Sequence, residues 1–177
     1  RVSRPALSRS RPADSEPVIP FRTQATLSNP FELLASMARQ ATYDPPVRVE
    51  SGTRVVVTGA SKGIGAALAR AFAERGATVG LVARTESDTA DLPGEGHISL
   101  VADVTDLASL AAAVESFGRV DVVVANAGVA HYQDFPELTA ERAEQMTEIN
   151  WMGTVHTVRA VLPAMLEHHS GHIVAVS

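Results

Sequence analysis

A glycine-rich turn between two strongly patterned segments constrains the fold of this chain more than any other feature. Residues 54–58 form an apolar, β-branched run typical of a buried strand, and residues 63–75 place apolar side chains at helical spacing. The connection reads Thr-Gly-Ala-Ser-Lys-Gly-Ile-Gly and contains Gly59, Gly63 and Gly65. A strand that turns sharply into a helix in this way predicts the βα unit of an α/β protein.

The same alternation of short apolar runs and longer helical patterns continues along the chain. Apolar runs predict further strands at residues 78–83, 97–102, 120–125 and 173–176. Helical spacing predicts helices at 106–117 and 140–168, with a kink at Pro163. Residues 85–96 are too short and polar for a full crossover helix. Apolar strands that alternate with helices predict a doubly wound α/β domain, a parallel sheet covered on both faces.

Composition excludes several classes of function. The chain has no run of 18 apolar residues, and its net charge of −5 gives no overall attraction to nucleic acid, so neither a membrane nor a nucleic-acid partner is expected. It has no cysteine, which rules out disulfides and thiolate chemistry and fits a cytoplasmic location. It has six histidines, but three of them stand near the predicted end of a helix, where imidazole interacts favourably with the helix dipole, and no metal site is expected.

Residues 1–48 differ in character from the rest of the chain. They carry seven arginines against four acidic residues, whereas residues 49–177 have a net charge of −8. The opening is rich in Arg, Ser and Pro and lacks the apolar region of a secretory signal. We expect a largely disordered extension with a short helix near residues 31–40, followed by a domain over 49–177 that is incomplete at its C-terminus. A transit peptide, or sequence upstream of the true start, would have the same composition.

The glycine turn is suited to binding an anion. Glycines let the backbone turn tightly and approach a pyrophosphate, and the helix N-terminus offers free N–H groups and the positive end of its dipole. A dinucleotide would be held at this turn. The alternative is a glycine-rich turn without a ligand, as occurs in many α/β proteins.

Five motifs stand in register with the strand pattern. They are TGxxxGxG at 58–65, Asp103-Val104, Asn126-Ala127-Gly128, Asn150 with Gly153, and the segment from Gly171 to Ser177. With them, residues 52–177 resemble the short-chain dehydrogenase/reductase family. The resemblance implies a Rossmann-type sheet with strand order 3-2-1-4-5 and hydride transfer between a nicotinamide cofactor and a carbonyl or secondary alcohol. It also implies a homo-oligomer formed through the helix at 140–168.

The resemblance carries cofactor-binding roles onto this chain. It implies that the Ile64 amide points at phosphate, that Asp103 accepts a hydrogen bond from the adenine amino group, and that residues 126–128 flank the adenosine ribose. Asp103 could instead cap a turn, and Ala125 departs from the family, which often has Asn there. The candidate cofactor residues are Gly59, Ser61, Lys62, Gly63, Ile64, Gly65, Arg84, Asp103, Val104, Asn126, Ala127 and Gly128.

The end of the second strand distinguishes the two nicotinamide cofactors. An NAD enzyme has a carboxylate there to accept hydrogen bonds from the ribose 2′-OH. This chain has Arg84, whose guanidinium can pair with a 2′-phosphate, and Lys62 and Ser61 lie close by in the motif. The sequence therefore favours NADP. Glu86 argues for NAD, and Arg84 as a solvated loop residue is the alternative.

The proton-transfer residues of the family are largely missing from the 177 residues. The resemblance implies a Ser, a Tyr followed four residues later by Lys, and an Asn that holds a relay water, and only Asn150 matches. The two tyrosines, Tyr43 and Tyr132, precede no such lysine, because the single lysine is Lys62. The family's serine would stand directly after Ser177. The chain is then either a truncated piece of an enzyme, inactive alone, or a catalytically silent NADP-binding or partner-binding module; the end in mid-strand favours truncation.

Overall fold

A computed structural model describes residues 48–176. The predicted extension, with its helix near 31–40, lies outside the described residues. The strands are β1 (Arg54–Thr58), β2 (Thr78–Ala83), β3 (Ile98–Val101), β4 (Val122–Ala125) and β5 (His172–Ala175). The α-helices are α1 (Gly63–Ala73), α2 (Leu107–Phe117), α3 (Ala140–Met146) and α4 (Gly153–Glu167), with a π-helix (Thr147–Met152) between the last two and a 3-10 turn at Phe135–Glu137.

The five strands form one parallel sheet in the order β3-β2-β1-β4-β5. The central strand is β1, in which Val56 stands beside Gly80 of β2 on one side and Val123 of β4 on the other. The order changes direction at β1, because the chain first adds strands on one side and then crosses to the other. The predicted doubly wound sheet with order 3-2-1-4-5 is confirmed.

Alternate residues of the strands face two separate cores. Val55 and Val57 of β1 lie on the side covered by α1, with Ala69 and Ala73 of that helix. Val56 points to the opposite side, where α2 and α4 supply Leu110, Val114, Phe117, Val161 and Met165. The three valines are fully buried, so the strand period of two fixes which helix covers each face.

The predicted single helix over 140–168 is wrong in its regularity. It is divided into α3, the π-helix and α4, because the turn at 147–152 contains one more residue than an α-helical turn. A single extra residue leaves the apolar spacing almost unchanged and so gives no sequence signal. As predicted, the helix continues past Pro163, here to Glu167. Pro163 is exposed, and water can hydrate the carbonyl that loses its intrahelical partner.

Charged side chains interact with the backbone at the amino ends of the central strands. The Arg54 guanidinium donates to the carbonyls of Phe117 and Arg119 and lies 4.2 Å from the centre of the Phe117 ring. The Asp121 carboxylate accepts hydrogen bonds from the Arg54 amide at 2.9 Å and from Arg119 Nε at 2.8 Å. These contacts satisfy carbonyls at the end of α2. They also join the start of β1 to the chain between α2 and β4.

Candidate functional site

A cleft of about 570 Å³ opens at the carboxyl ends of the parallel strands, next to β1, β2 and β4. Eleven of the thirteen residues predicted from the sequence line it, and the two exceptions are Gly65 and Asn150. The position agrees with the general rule that doubly wound sheets bind ligands where the strand order reverses. The lining residues among those predicted are Gly59, Ser61, Lys62, Gly63, Ile64, Arg84, Asp103, Val104, Asn126, Ala127 and Gly128.

The glycine turn brings the N-terminus of α1 to the floor of the cleft. Gly59 and Gly63 have positive φ angles, +66° and +60°, which glycine adopts without strain. Lys62 is the N-cap residue, and its side chain makes no hydrogen bond to the helix. The first amides of α1 thus have no side-chain cap and can face an anion in the cleft.

Gly65 lies beneath the turn rather than in the cleft. A Cβ atom at this position would stand 2.3 Å from the Gly59 carbonyl oxygen and 2.6 Å from Asn126 Nδ2. The residue is buried, and only a glycine lets α1 approach the end of β1 so closely. Its contribution is therefore to the shape of the turn.

Thr58 joins the ends of the two central strands, a role that the sequence analysis missed. Its hydroxyl oxygen accepts hydrogen bonds from the amides of Asn126 and Ala127 at 3.0 and 3.1 Å and donates to the Val124 carbonyl at 3.4 Å. The Asn126 side chain returns a hydrogen bond to the Thr58 carbonyl at 3.0 Å. A polar residue directly after a run of three valines was the available signal. Thr58 thus sets the position of the 126–128 segment against the glycine turn.

Replacement of Thr58 by valine is expected to lower the free energy of unfolding by about 2 kcal/mol, because two backbone amides lose their acceptor. The matched control is Thr157→Val. Thr157 is also buried, but its hydroxyl only donates to the Gly153 carbonyl of its own helix, at 2.7 Å. That change is expected to cost about 0.5 kcal/mol or less. Urea denaturation of both variants measures the difference, and equal losses would contradict the role given to Thr58.

Asp103 lies two residues beyond the end of β3, and one of its carboxylate oxygens already accepts hydrogen bonds. Oδ1 accepts hydrogen bonds from the amide and the hydroxyl of Thr105, at 2.9 and 2.8 Å. The Thr105 amide is the main cause of a lowered pKa of Asp103; the Thr105 hydroxyl and the charge of Arg84 lower the pKa further, while burial opposes them. The carboxylate is therefore ionised at neutral pH. Asp103 does cap a turn, as the alternative interpretation proposed, and its other oxygen remains available to a ligand.

Asn150 lies in the π-helix, where its side chain holds the chain that follows β4. Its Oδ1 accepts from the Val129 amide at 2.8 Å, and its Nδ2 donates to the Val129 carbonyl at 2.9 Å. Its own carbonyl accepts from the Thr154 hydroxyl at 2.8 Å. Both side-chain groups of Asn150 are thus committed to the wall of the cleft, and its catalytic role remains a prediction.

Beyond Val129, alternate residues of the segment contact side chains of α3. His131, which lines the cleft, lies with its Nε2 2.9 Å from Gln145 Oε1, and Arg142 donates to the Gln133 side chain. Tyr132 points away and is 98% exposed. The segment 129–133 is therefore an extended wall with one side attached to α3 and the π-helix.

Within residues 48–176, no helix combines the length and the hydropathy of a membrane span. No three His, Asp or Glu side chains in that part of the chain come together as possible metal ligands.

The residues around this cleft lie within a segment that matches the profile of a known protein family. The profile of the short chain dehydrogenase family matches residues 53–177, which include the glycine turn, Asp103, residues 126–128 and Asn150. The chain belongs to the short-chain dehydrogenase family. The resemblance inferred from the sequence motifs is confirmed, and the match begins one residue before β1.

Curated relatives and solved structures agree with this short-chain dehydrogenase assignment. Oxidoreductase UcpA of Salmonella typhimurium is 38% identical over 136 residues, which are 72% of this chain and 52% of UcpA. A 3-oxoacyl-[acyl-carrier protein] reductase of Brucella melitensis superposes with a TM-score of 0.66 at 33% identity, over 73% of this chain and 53% of the reductase. Another structure of such a Brucella reductase, with bound NAD, gives 0.65 at 33% identity, over 72% and 53%. The chain thus spans about half the length of the proteins it matches.

Proposed function

We propose that the chain is the cofactor-binding part of an NADP(H)-dependent oxidoreductase that transfers a hydride between nicotinamide and a carbonyl or secondary alcohol. The observation that carries the proposal is the cleft, where the glycine turn, Arg84, Asp103 and residues 126–128 come together although they are up to 69 positions apart in the chain. Its volume of about 570 Å³ lies in the range of small-molecule sites.

The pyrophosphate of a dinucleotide fits the N-terminus of α1. A Cβ atom built on Gly63 would meet nothing within 4 Å, so the backbone here is open to a close approach by phosphate oxygens. The uncapped amides, with that of Ile64 among them, supply donors, and the helix dipole favours the negative charge. This turn has the shape and charge that a pyrophosphate requires.

The adenosine half fits the neighbouring wall. The unengaged oxygen of Asp103 can accept a hydrogen bond from the adenine amino group, and Val104 lines the cleft beside it. Residues 126–128, held by Thr58, would flank the ribose. Each expected role therefore falls on a residue that faces the cleft.

The proposed preference for NADP over NAD rests on Arg84, Ser61 and Lys62, which line the cleft. Arg84 is exposed at the end of β2, lines the cleft and lies close enough to Asp103 to lower the pKa of that carboxyl group. Ser61 and Lys62 line the same cleft. A guanidinium, an ammonium and a hydroxyl together suit a 2′-phosphate. A Brucella reductase structure with bound NAD shows that similar proteins take the other cofactor.

The bound nicotinamide would supply the hydride, while the chain's own residues hold the cofactor and shape the cleft. Asn150 keeps the segment at Val129 in place. The 177 residues contain no Tyr-x-x-x-Lys sequence, so we propose that they bind the nucleotide without turning it over. A catalytically silent NADP-binding or partner-binding module is the second candidate, favoured by the single lysine and its position in the glycine turn.

A homo-oligomer formed through the helices at 140–167 is a further part of the proposal. Trp151 is 66% exposed and Leu166 63% exposed, which leaves apolar surface on this region of the domain. Sedimentation equilibrium tests it, and a monomer at all concentrations would contradict it. The cytoplasmic location stays a prediction, tested by fractionation of the source cells.

Fluorescence titration of the protein with NADPH tests the binding function. We expect saturable binding with a dissociation constant below about 1 mM, and tighter binding of NADPH than of NADH. A protein that binds neither nucleotide would contradict the proposal. Turnover of carbonyl substrates by the full-length protein would separate the oxidoreductase from the silent module, which would bind NADPH without oxidising it.

A further inference from the structure

The first residue of α4 packs directly on the chain that follows β3. Gly153 is buried, and a Cβ atom there would stand 2.7 Å from Val104 Cγ2 and 3.2 Å from Val104 Cβ. Because glycine has no side chain, the Val104 side chain rests on the helix backbone and is only 7% exposed. The start of α4 therefore fixes the side chain of Val104.

His156 holds the main chain of the same residue. Its Nδ1 lies 2.9 Å from the Val104 carbonyl oxygen. A carbonyl oxygen can only accept, so Nδ1 carries the hydrogen and donates. Positions 153 and 156 are three residues apart on one face of the helix, which lets both contact Val104 at once.

The opposite wall of the cleft is held from the same stretch of chain. Asn150, in the π-helix, binds the amide and the carbonyl of Val129 after β4. Asn150 to His156 thus attach to one wall through Val129 and to the other through Val104. Both Val104 and Val129 line the cleft, whereas His156 is not among the lining residues.

We propose that His156 is a positioning residue for the adenosine half of the nucleotide site. By fixing the Val104 carbonyl it fixes the Val104–Thr105 peptide, whose amide binds Asp103 Oδ1, and so the direction in which the unengaged carboxylate oxygen faces the cleft. The Thr105 hydroxyl donates to the same Oδ1. The proposal rests on the proposed nucleotide-binding function.

Substitutions at His156 separate the donor atom from the bulk of the ring. His156→Asn keeps an N–H donor near the position of Nδ1. His156→Gln is equally polar but places its amide near the position of Nε2, and His156→Leu removes the donor. The control is His168→Leu, because His168 is exposed at the C-terminal end of the same helix.

Each variant of the full-length protein is titrated with two half-molecules of the cofactor. Adenosine 2′,5′-bisphosphate occupies the adenosine half and is followed by calorimetry; reduced nicotinamide mononucleotide occupies the other half and is followed by ligand-observed NMR. His156→Leu and His156→Gln are expected to weaken binding of the bisphosphate about tenfold. Binding of the mononucleotide is expected to change less than about twofold, and His156→Asn to restore most of the lost affinity.

The outcomes distinguish this proposal from the one on which it rests. Equal losses for both half-molecules, an unchanged affinity for the bisphosphate, or a His156→Asn variant as weak as His156→Gln would overturn the positioning role. If His156→Leu does not fold, the Asn and Gln pair decides the question. An unmodified protein that binds neither half-molecule overturns the nucleotide-binding function itself.

Discussion

Replacement of Gly65 by alanine is expected to destabilise the domain by about 3 kcal/mol, near the upper end of overpacking costs. The added Cβ would lie 2.3 Å from the Gly59 carbonyl oxygen and 2.9 Å from the Gly59 carbonyl carbon, which are backbone atoms. Relief requires α1 to move away from the end of β1, and the uncapped amides of α1 would move with it. Nucleotide binding should therefore be lost together with stability. Urea denaturation and NADPH titration measure the two effects.

Gly63→Ala is the matched control in the same turn. A Cβ atom there meets nothing within 4 Å, so the cost to stability is the strain of a φ of +60°, about 1 kcal/mol. The new methyl group occupies the space proposed for phosphate. We expect Gly63→Ala to keep the fold and to weaken NADPH binding. A Gly63→Ala protein less stable than Gly65→Ala would contradict the described geometry of the turn.

Arg84→Asp is expected to weaken binding of NADPH about 100-fold, because a charge-assisted pair with the 2′-phosphate is lost and a repulsive charge takes its place. Binding of NADH should change little or improve, since a carboxylate at this position can accept hydrogen bonds from the ribose 2′-OH. Parallel fluorescence titrations with the two nucleotides measure the change in preference.

The control for Arg84→Asp is Arg159→Asp, which makes the same change in net charge on an exposed part of α4. It should alter both affinities by less than about twofold, because exposed charges that are distant from a site are screened by salt. Equal losses of NADPH and NADH affinity in Arg84→Asp would show that Arg84 does not distinguish the 2′-phosphate.

The sheet could be predicted from the sequence because each strand is marked by the apolar pattern of its own residues. β1 and β2 have the expected bounds, since each is a mainly apolar run that ends directly before a glycine or a charged residue. The predicted β3 is one residue too long at each end, the predicted β4 starts two residues too early, and the predicted β5 is shifted by one residue. Apolar residues such as Ala102 and Val120 flank the paired residues, so composition alone does not mark where pairing starts or stops.

The lining of the cleft was also predictable, but the contacts behind it were not. Motif order placed Arg84, Asp103 and residues 126–128 at one edge of the sheet, because parallel strands bring their carboxyl ends together. The hydrogen bond from the amide of residue 126 to Thr58 and the one from His156 to Val104 join positions 68 and 52 residues apart. Such pairs depend on tertiary packing, and neither threonine nor histidine has a spacing pattern that indicates its partner.

The π-helix at Thr147–Met152 sets the rotational phase between the residues before it and those after it. An α-helix turns by about 100° per residue, so removing one residue here would rotate Asn150 away from Val129 or Gly153 and His156 away from Val104. The additional residue of the π-helix allows continuous helical chain to contact both Val129, which follows β4, and Val104, which follows β3. The length of this segment, and not only its sequence, is therefore constrained, because a one-residue deletion would detach one wall of the cleft from the helix.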